Sequence, residues 1–208
     1  MLDRILAKRI VPVVVLDKAN DAEPLAEALL AGGLDIMEIT FRTDAAEESI
    51  KRIANRFPEI LVGAGTLLTD EQVDRARNAG AVFGLAPGLN PSTIAKARSL
   101  DLAFSPGVMT PSDIEQALAL DCSLLKFFPA ESAGGAKMLK ALAGPYAHTG
   151  LKFIPTGGIT SSNLQSYLQL PVVAAIGGSW MVAKNLVNEG KWAEITSLTK
   201  QALATAQA

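Results

Sequence analysis

A lysine lies within the apolar segment 123–129, where Lys126 is followed by Phe127 and Phe128. Lysine is among the side chains least often buried, and apolar surroundings favour its uncharged amine. An uncharged amine can attack a carbonyl carbon and form a Schiff base. A lysine that reaches solvent from the end of a strand is the alternative, but Lys126 comes before that end. Lys18, in polar surroundings, is the rival nucleophile, and we expect the chemistry at Lys126.

A glutamate and an arginine alternate with apolar residues in the segment 36–42. Because side chains alternate across a strand, Glu38, Thr40 and Arg42 point to one side. We expect Glu38 to point into the interior of the fold and Arg42 to lie nearer its mouth. A structural ion pair between Glu38 and Arg42 is the alternative interpretation. A shared interior with Lys126 favours a functional role.

Two glycine turns are candidates for binding an anion. Thr156-Gly157-Gly158 and Gly177-Gly178-Ser179 follow the last two apolar segments. In (β/α)₈ enzymes the loops after strands 7 and 8 frequently bind phosphate through backbone N–H groups. Any tight turn can use glycine, but a pair at both positions favours a phosphate site. The segment Gly63-Ala64-Gly65-Thr66 would also let a ligand approach closely and offers one hydroxyl group.

These residues require a scaffold that brings the ends of several strands together. Eight apolar segments recur along the chain, each followed by a helical segment. They are 10–16, 36–41, 60–62, 81–85, 102–104, 124–128, 153–154 and 172–176. The first is not followed by the Gly-x-Gly-x-x-Gly turn expected of an open dinucleotide-binding sheet. The pattern predicts one compact (β/α)₈ TIM barrel over 1–208, with a short N-terminal helix at 2–7 and a last helix at 192–206.

Several helix starts carry capping signals. The spacings Asp44-x-x-Glu47 and Thr69-x-x-Gln72 predict capping boxes. Asn90 and Thr110 each precede a proline, which is typical of the residue that caps a first helical turn. These signals predict four helices that begin just after predicted strands.

The composition limits the possible partners. A net charge of −2 offers no basic surface for nucleic acid or for an anionic membrane. The long apolar stretch 170–183 is interrupted by proline and glycine, and it is too short to span a bilayer. The chain has one cysteine, Cys122, which excludes an internal disulfide and fits the reducing cytoplasm. The lone histidine, His148, lies in a loop expected at the bottom of the barrel, and no His and carboxylate cluster has metal-ligand spacing.

Five segments together resemble the 2-keto-3-deoxy-6-phosphogluconate (KDPG) aldolases, which overlap with the 4-hydroxy-2-oxoglutarate (KHG) aldolases. The segments are EITFRT at 38–43, VGAGT at 62–66, KFFPAE at 126–131, PTGGI at 155–159 and IGGSW at 176–180. The resemblance implies a class I aldolase of the Entner–Doudoroff pathway. It also implies a cytoplasmic homotrimer that needs no metal and no cofactor.

The resemblance assigns a role to each candidate residue. It implies that Lys126 forms the Schiff base and that Glu38 accepts and donates protons. The implied substrate-binding residues are Arg42, Thr66, Pro87, Phe128 and Thr156, and the implied phosphate-binding residues are Gly157, Gly158, Gly178 and Ser179. Arg42 and Thr66 would hold the pyruvyl carboxylate, while Pro87 and Phe128 would line the pyruvyl pocket.

Three alternative functions remain open at this point. A sister aldolase would act on 2-keto-3-deoxy-6-phosphogalactonate or on unphosphorylated 4-hydroxy-2-oxoglutarate, although Arg42 resembles the gluconate type better. A sugar-phosphate isomerase or epimerase would share the barrel and the phosphate loops but would not need Lys126. A binding protein without catalysis would bind a sugar phosphate and release no pyruvate.

Overall fold

The computed structural model describes residues 2–207, in which nine strands alternate with ten helices. The strands are β1 Ile10–Val14, β2 Ile36–Thr40, β3 Leu61–Gly65, β4 Phe83–Leu85, β5 Ala103–Ser105, β6 Gly107–Val108, β7 Leu124–Phe127, β8 Lys152–Pro155 and β9 Ile176–Gly178. The helices are α1 Leu2–Lys8, α2 Ala22–Ala31, α3 Ala46–Arg56, α4 Asp70–Asn78, α5 Pro91–Ser99, α6 Pro111–Ala119, α7 Gly135–Ala143, α8 Leu164–Leu168, α9 Lys184–Asn188 and α10 Trp192–Gln207. The predicted first and last helices are confirmed.

The strands form two parallel sheets. Six strands pair in the order β5-β4-β3-β2-β1-β9, and three pair in the order β6-β7-β8. The α/β class with parallel strands is therefore confirmed. Six of the nine strands, β1, β2, β3, β4, β6 and β9, have every residue buried, as expected of sheets that are covered on both sides.

The fifth strand, predicted at 102–104, is observed as β5, and a further short strand that was not predicted, β6, follows it after Pro106. Proline lacks the N–H group that would donate to a neighbouring strand, so the ladder is interrupted there. The carbonyl of Pro106 still accepts a hydrogen bond of 2.8 Å from the Lys126 N–H. The chain thus leaves the six-stranded sheet at Ser105 and enters the three-stranded sheet at Gly107.

The two sheets also approach each other at β8 and β9, where two isolated parallel bridges connect them. These bridges pair Phe153 with Val173 and Thr156 with Gly177. The two sheets therefore approach each other at both of their edges.

The strand register directs Glu38 and Lys126 to the same interior. Glu38 is paired with Val13 on one side and with Gly63 on the other. Lys126 is paired with Gly107 in the other sheet. Paired residues of parallel strands point to the same face, so small or apolar side chains flank both charged residues.

Thr69, Asn90 and Thr110 are confirmed as N-caps, but neither predicted capping box forms in full. The Gln72 side chain accepts a hydrogen bond from the Leu68 N–H and not from that of Thr69, and the box at Asp44 is absent. Thr69 and Asn90 accept hydrogen bonds from the first turns of α4 and α5, and Thr110 forms a reciprocal capping box at α6. Helix α3 begins at Ala46 with Ala45 at its N-cap, so the box predicted at Asp44 does not form. The acidic side chain lies too early in the turn to reach the free N–H groups of that helix.

Candidate active site

Lys126 and Glu38 form a buried ion pair inside the fold. Lys126 Nζ lies 3.2 Å from Glu38 Oε1, and these residues are 2% and 0% exposed. The apolar residues Leu125 and Phe127, next to Lys126 on β7, are also fully buried. The prediction that Lys126 is enclosed is therefore confirmed, whereas the rival Lys18 is exposed.

The second carboxylate oxygen of Glu38 is free. Within residues 2–207, Glu38 Oε2 is buried and accepts no hydrogen bond. A buried polar atom without a partner costs about 1–3 kcal/mol, so such atoms are uncommon unless a ligand supplies the missing donor. The carboxylate can therefore hold Lys126 with one oxygen and receive a proton with the other.

Two glycines of β3 provide the space for this interior. A Cβ atom on Gly65 would lie 2.0 Å from Glu38 Oε1, and one on Gly63 would lie 2.2 Å from the ring of Phe83. We expected these glycines to admit a ligand, but protein side chains occupy the space instead. Gly65 therefore contributes to the site by leaving space for the Glu38 carboxylate.

Arg42 and Thr66 lie together just after the ends of β2 and β3. Arg42 Nε donates a hydrogen bond of 3.1 Å to Thr66 Oγ1. Thr66 has a φ of 59°, a left-handed conformation that is costly for a β-branched residue and occurs often at functional sites. The arrangement leaves the other guanidinium nitrogens of Arg42 available for a carboxylate.

A cavity of about 370 Å³ opens beside these residues and contains most of the predicted substrate-binding groups. Seven predicted residues line it, namely Arg42, Phe128, Thr156, Gly157, Gly158, Gly178 and Ser179. Lys126 does not line this cavity, but its Nζ lies 5.7 Å from the centroid of the Phe128 ring, which does. The Phe128 ring is therefore close to the amine and also forms part of the cavity wall.

Pro87 is placed apart from the other candidates. It lines a neighbouring cavity, and Phe128 belongs to the lining of both cavities. The Pro87 carbonyl packs against Gly107, where a Cβ atom would lie 2.1 Å from the oxygen. Pro87 therefore reaches the main cavity only through Phe128.

The turn Thr156-Gly157-Gly158 is held against the loop after β7. Ala130 and Glu131 donate backbone hydrogen bonds to the carbonyls of Thr156 and Gly157, at 2.8 and 3.0 Å. Both glycines have positive φ, and a Cβ atom on Gly158 would lie 2.7 Å from Glu131 Cβ. Glycine is therefore required here by conformation and by space.

A buried tyrosine fixes the other side of that loop. The Tyr167 hydroxyl donates a hydrogen bond to Glu131 Oε1, and the tyrosine is fully buried. Burial, and then the hydrogen bond to the Glu131 carboxylate, raise the pKa of Tyr167. Tyr167 could not be singled out from the sequence, because its partner Glu131 lies 36 positions away.

The second glycine turn is packed equally closely. A Cβ atom on Gly177 would lie 2.2 Å from Thr156 Oγ1, and one on Gly178 would lie 1.9 Å from Trp180 Cζ3. Ser179 follows as an exposed residue at the cavity. The two turns therefore meet, and their backbone faces the same space.

Lys184, which was not among the predicted residues, also lines the main cavity. His148 is exposed in a 3-10 turn before β8, as expected. Across residues 2–207, no three His, Cys, Asp or Glu side chains are grouped to hold a metal ion. None of the helices in that range is long and apolar enough to cross a membrane.

Comparison with known proteins agrees with this geometry. The family model described as KDPG and KHG aldolase matches residues 2–198. The chain belongs to the KDPG and KHG aldolase family. Among its relatives, 2-dehydro-3-deoxy-phosphogluconate aldolase of Haemophilus influenzae is 44% identical, covering 98% of this chain and 95% of that protein. The KHG/KDPG aldolase of Escherichia coli K12 is 40% identical, covering 95% of this chain and 92% of that protein.

Solved structures of this aldolase family share the fold. KDPG aldolase from Legionella pneumophila superposes with a TM-score of 0.91 at 39% identity, covering 96% of each chain. That structure holds pyruvate captured at low pH as a covalent carbinolamine intermediate. An amine that adds to a ketone is therefore part of the chemistry of a close structural neighbour.

Proposed function

We propose that this class I aldolase, a carbon–carbon lyase, cleaves KDPG to pyruvate and glyceraldehyde 3-phosphate. The observation that carries the proposal is the buried pair of Lys126 and Glu38, with Nζ and Oε1 3.2 Å apart below a cavity with glycine turns. Lys126 supplies the nucleophile, and Glu38 supplies a carboxylate with one free oxygen. The names of the bacterial relatives support the same substrate.

In the first half of the reaction, the ammonium group of Lys126 passes a proton to Glu38, and the resulting uncharged amine adds to the C2 ketone and gives a carbinolamine. Loss of water then gives an iminium ion, which withdraws electrons from the C3–C4 bond. Glu38 lies beside Lys126 and can pass protons to and from the carbinolamine oxygen.

In the second half, Glu38 accepts the proton of the C4 hydroxyl group as the C3–C4 bond breaks. The bonding electrons pass into the iminium to form an enamine, and the aldehyde leaves. Glu38 then returns its proton to C3 of the enamine, and water hydrolyses the resulting pyruvyl iminium to release pyruvate and Lys126. The unpartnered Oε2 supports this exchange, since that oxygen is free to accept the proton.

The surrounding residues orient the substrate. Arg42 and Thr66 bind the carboxylate that is next to the ketone. The hydrogen bond between Arg42 and Thr66 supports this role, because it sets the direction of the guanidinium group. Phe128, backed by Pro87, forms the apolar wall of the pyruvyl pocket. Thr156 faces the middle of the substrate from the end of β8. Gly157, Gly158, Gly178 and Ser179 bind the phosphate, whose binding energy positions the reacting carbon atoms.

We also propose that the chain forms a closed barrel and assembles as a trimer. The divided strand at Pro106 and the bridges beside β8 and β9 support one closed (β/α)₈ barrel with β5 and β6 as a single bent strand. The family resemblance supports a homotrimer that acts in the Entner–Doudoroff pathway of the cytoplasm. Light scattering of the purified protein tests the trimer, and a monomer in solution would contradict it.

A second substrate, 4-hydroxy-2-oxoglutarate, is supported by the Escherichia coli relative, whose name includes both activities. Its cleavage would give pyruvate and glyoxylate by the same steps. The part of the site around Lys126, Glu38 and Arg42 requires only the 2-keto acid group and the C4 hydroxyl group, which the two substrates share.

Borohydride trapping tests the proposed function most directly. The protein is incubated with pyruvate, reduced with sodium borohydride, digested and mapped by mass spectrometry. We expect one reduced pyruvyl adduct on Lys126, loss of that adduct in Lys126→Met, and its retention in the control Lys18→Met. An adduct on Lys18, or none, would contradict the role of Lys126. A coupled lactate dehydrogenase assay with KDPG, its galactonate epimer and 4-hydroxy-2-oxoglutarate then ranks the substrates.

A further inference from the structure

Two cationic side chains line the main cavity, and only one of them has been assigned a ligand. Among the described residues that line it there is no Asp or Glu, but there are two cations, Arg42 and Lys184. The proposed substrate has two anionic groups, a carboxylate and a phosphate. Arg42 is assigned to the carboxylate, and the phosphate has only backbone N–H groups and the Ser179 hydroxyl. Lys184 is a cation without a role.

Lys184 is held at the mouth of the cavity from one side. Its Nζ lies 2.9 Å from Asp17 Oδ1, and Asn188 Nδ2 donates a hydrogen bond of 3.2 Å to Asp17 Oδ2. Asp17 follows β1, and Lys184 begins α9 a few residues after Ser179. The hydrogen bond from Lys184 is the main cause of the lowered pKa of Asp17, so this carboxylate is charged at neutral pH. The ion pair therefore keeps the lysine close to the second glycine turn.

The ammonium group retains the capacity to bind another anion. Lysine has three N–H donors, and Asp17 Oδ1 occupies one of them. The Lys184 side chain is 53% exposed, so its other donors face water, which a ligand can replace. A surface ion pair of this kind contributes at most about 1 kcal/mol to folding, so stability alone is a weak reason for it.

We propose that Lys184 binds the phosphate of the substrate and sets the preference for phosphorylated over unphosphorylated 2-keto acids. This inference rests on the proposed function and names the specificity residue of the same site. The N–H groups of the glycine turns and the Ser179 hydroxyl bind the phosphate from the cavity wall, and Lys184 binds it from the mouth. An unphosphorylated substrate such as 4-hydroxy-2-oxoglutarate makes no use of this cation.

The chain offers a matched control in Lys191. Lys191 Nζ lies 2.8 Å from Glu189 Oε2, and its side chain is 47% exposed, so its pairing and exposure resemble those of Lys184. Lys191 does not line the cavity. A general effect of removing a paired surface lysine will therefore appear in both variants, whereas an effect on phosphate binding will appear in one.

The test compares Lys184→Ala, Lys184→Arg and Lys191→Ala with the parent protein. We expect Lys184→Ala to lower kcat/KM for KDPG about tenfold, chiefly through KM, because a partly solvated charged hydrogen bond is lost. The ratio of kcat/KM for KDPG to that for 4-hydroxy-2-oxoglutarate falls by the same factor. Lys184→Arg should retain most of the ratio, and Lys191→Ala should retain all of it.

Binding of glycerol 3-phosphate provides a second measurement that does not depend on turnover of the phosphorylated substrate. Its dissociation constant, measured by isothermal titration calorimetry, should rise about tenfold in Lys184→Ala and not in Lys191→Ala. An unaltered substrate ratio together with an unaltered dissociation constant would overturn the inference and leave the proposed function intact. If the parent protein traps pyruvate but does not cleave KDPG, the proposed function fails, and the dissociation constant still decides the role of Lys184.

Discussion

Gly65 faces Glu38 so closely that a Cβ atom on the glycine would lie 2.0 Å from the carboxylate oxygen that binds Lys126. The absence of a side chain on β3 is therefore what allows the carboxylate on β2 to reach the amine on β7. The site depends on a residue that has no functional group of its own.

Gly65→Ala should displace the Glu38 carboxylate and lower kcat about a hundredfold, since a shift of about 1 Å can have that effect. Steady-state kinetics and borohydride trapping of pyruvate measure the two steps separately. Gly144→Ala is the control, because no described atom beyond its chain neighbours and its own helix lies within 4 Å of a Cβ atom there. Equal activity in the two variants would show that Glu38 needs no such space.

Glu38→Gln tests whether the carboxylate transfers protons or only pairs with Lys126. Glutamine can still accept a hydrogen bond from Lys126 through its amide oxygen, but it cannot take a proton. We expect kcat for KDPG to fall by about 10²–10⁴, while the pyruvyl adduct remains trappable by borohydride. Unchanged turnover would make Glu38 a structural residue.

Tyr167→Phe removes the hydrogen bond to Glu131 without changing the packing of the ring. We expect the free energy of unfolding to fall by about 1–3 kcal/mol, because a hydrogen bond to a charged group is lost in a buried position. Urea denaturation measures it. Tyr146→Phe is the control, since the Tyr146 hydroxyl pairs with Glu115 at the surface and should contribute less.

The same tyrosine should shape stability at alkaline pH. Burial and Glu131 raise the pKa of Tyr167 in the folded protein above its ordinary 10.0. Above about pH 10 the unfolded chain therefore binds fewer protons than the folded one, and the free energy of unfolding falls as pH rises. Urea denaturation from about pH 9 to about pH 11 should give a steeper decline for the parent than for Tyr167→Phe. Parallel curves would contradict this contribution.

Cys122 should react slowly with iodoacetamide at neutral pH. Burial raises the pKa of its thiol, and the thiolate is the form that reacts. Mass spectrometry over time should show slow alkylation of the folded protein and rapid alkylation in urea. Equal rates in both conditions would mean that the thiol is accessible in the folded state.

Local patterns in the sequence were sufficient to predict that Glu38 and Lys126 share a buried interior. The alternation of side chains in β2 determines the direction of Glu38. A lysine within the apolar strand β7 indicates a functional role, because lysine is seldom buried without one. These inferences depend on neighbours along one strand, where the repeat of two residues is strict. The glycine turns were equally visible because the chain bends sharply at positive φ.

Features that depend on contacts between distant segments could not be predicted in this way. The separation of Pro87 from the main cavity depends on how Phe128 lies between two loops. Lys184 looks like any exposed lysine at the start of a short helix, and only its partner Asp17, on another loop, reveals its position. The failed cap at Asp44 shows the same limit, since α3 begins one residue later than an N-cap at Asp44 requires.

The division of the strands at Pro106 places Lys126 in the three-stranded sheet and Glu38 in the six-stranded sheet, 88 positions apart in the chain. Their contact closes a long loop, and contacts of that kind are slow to form during refolding because much chain entropy must first be lost. Far-ultraviolet circular dichroism should therefore recover before the capacity to trap pyruvate. The rate at which pyruvate trapping recovers would then measure how fast the two sheets pack against each other.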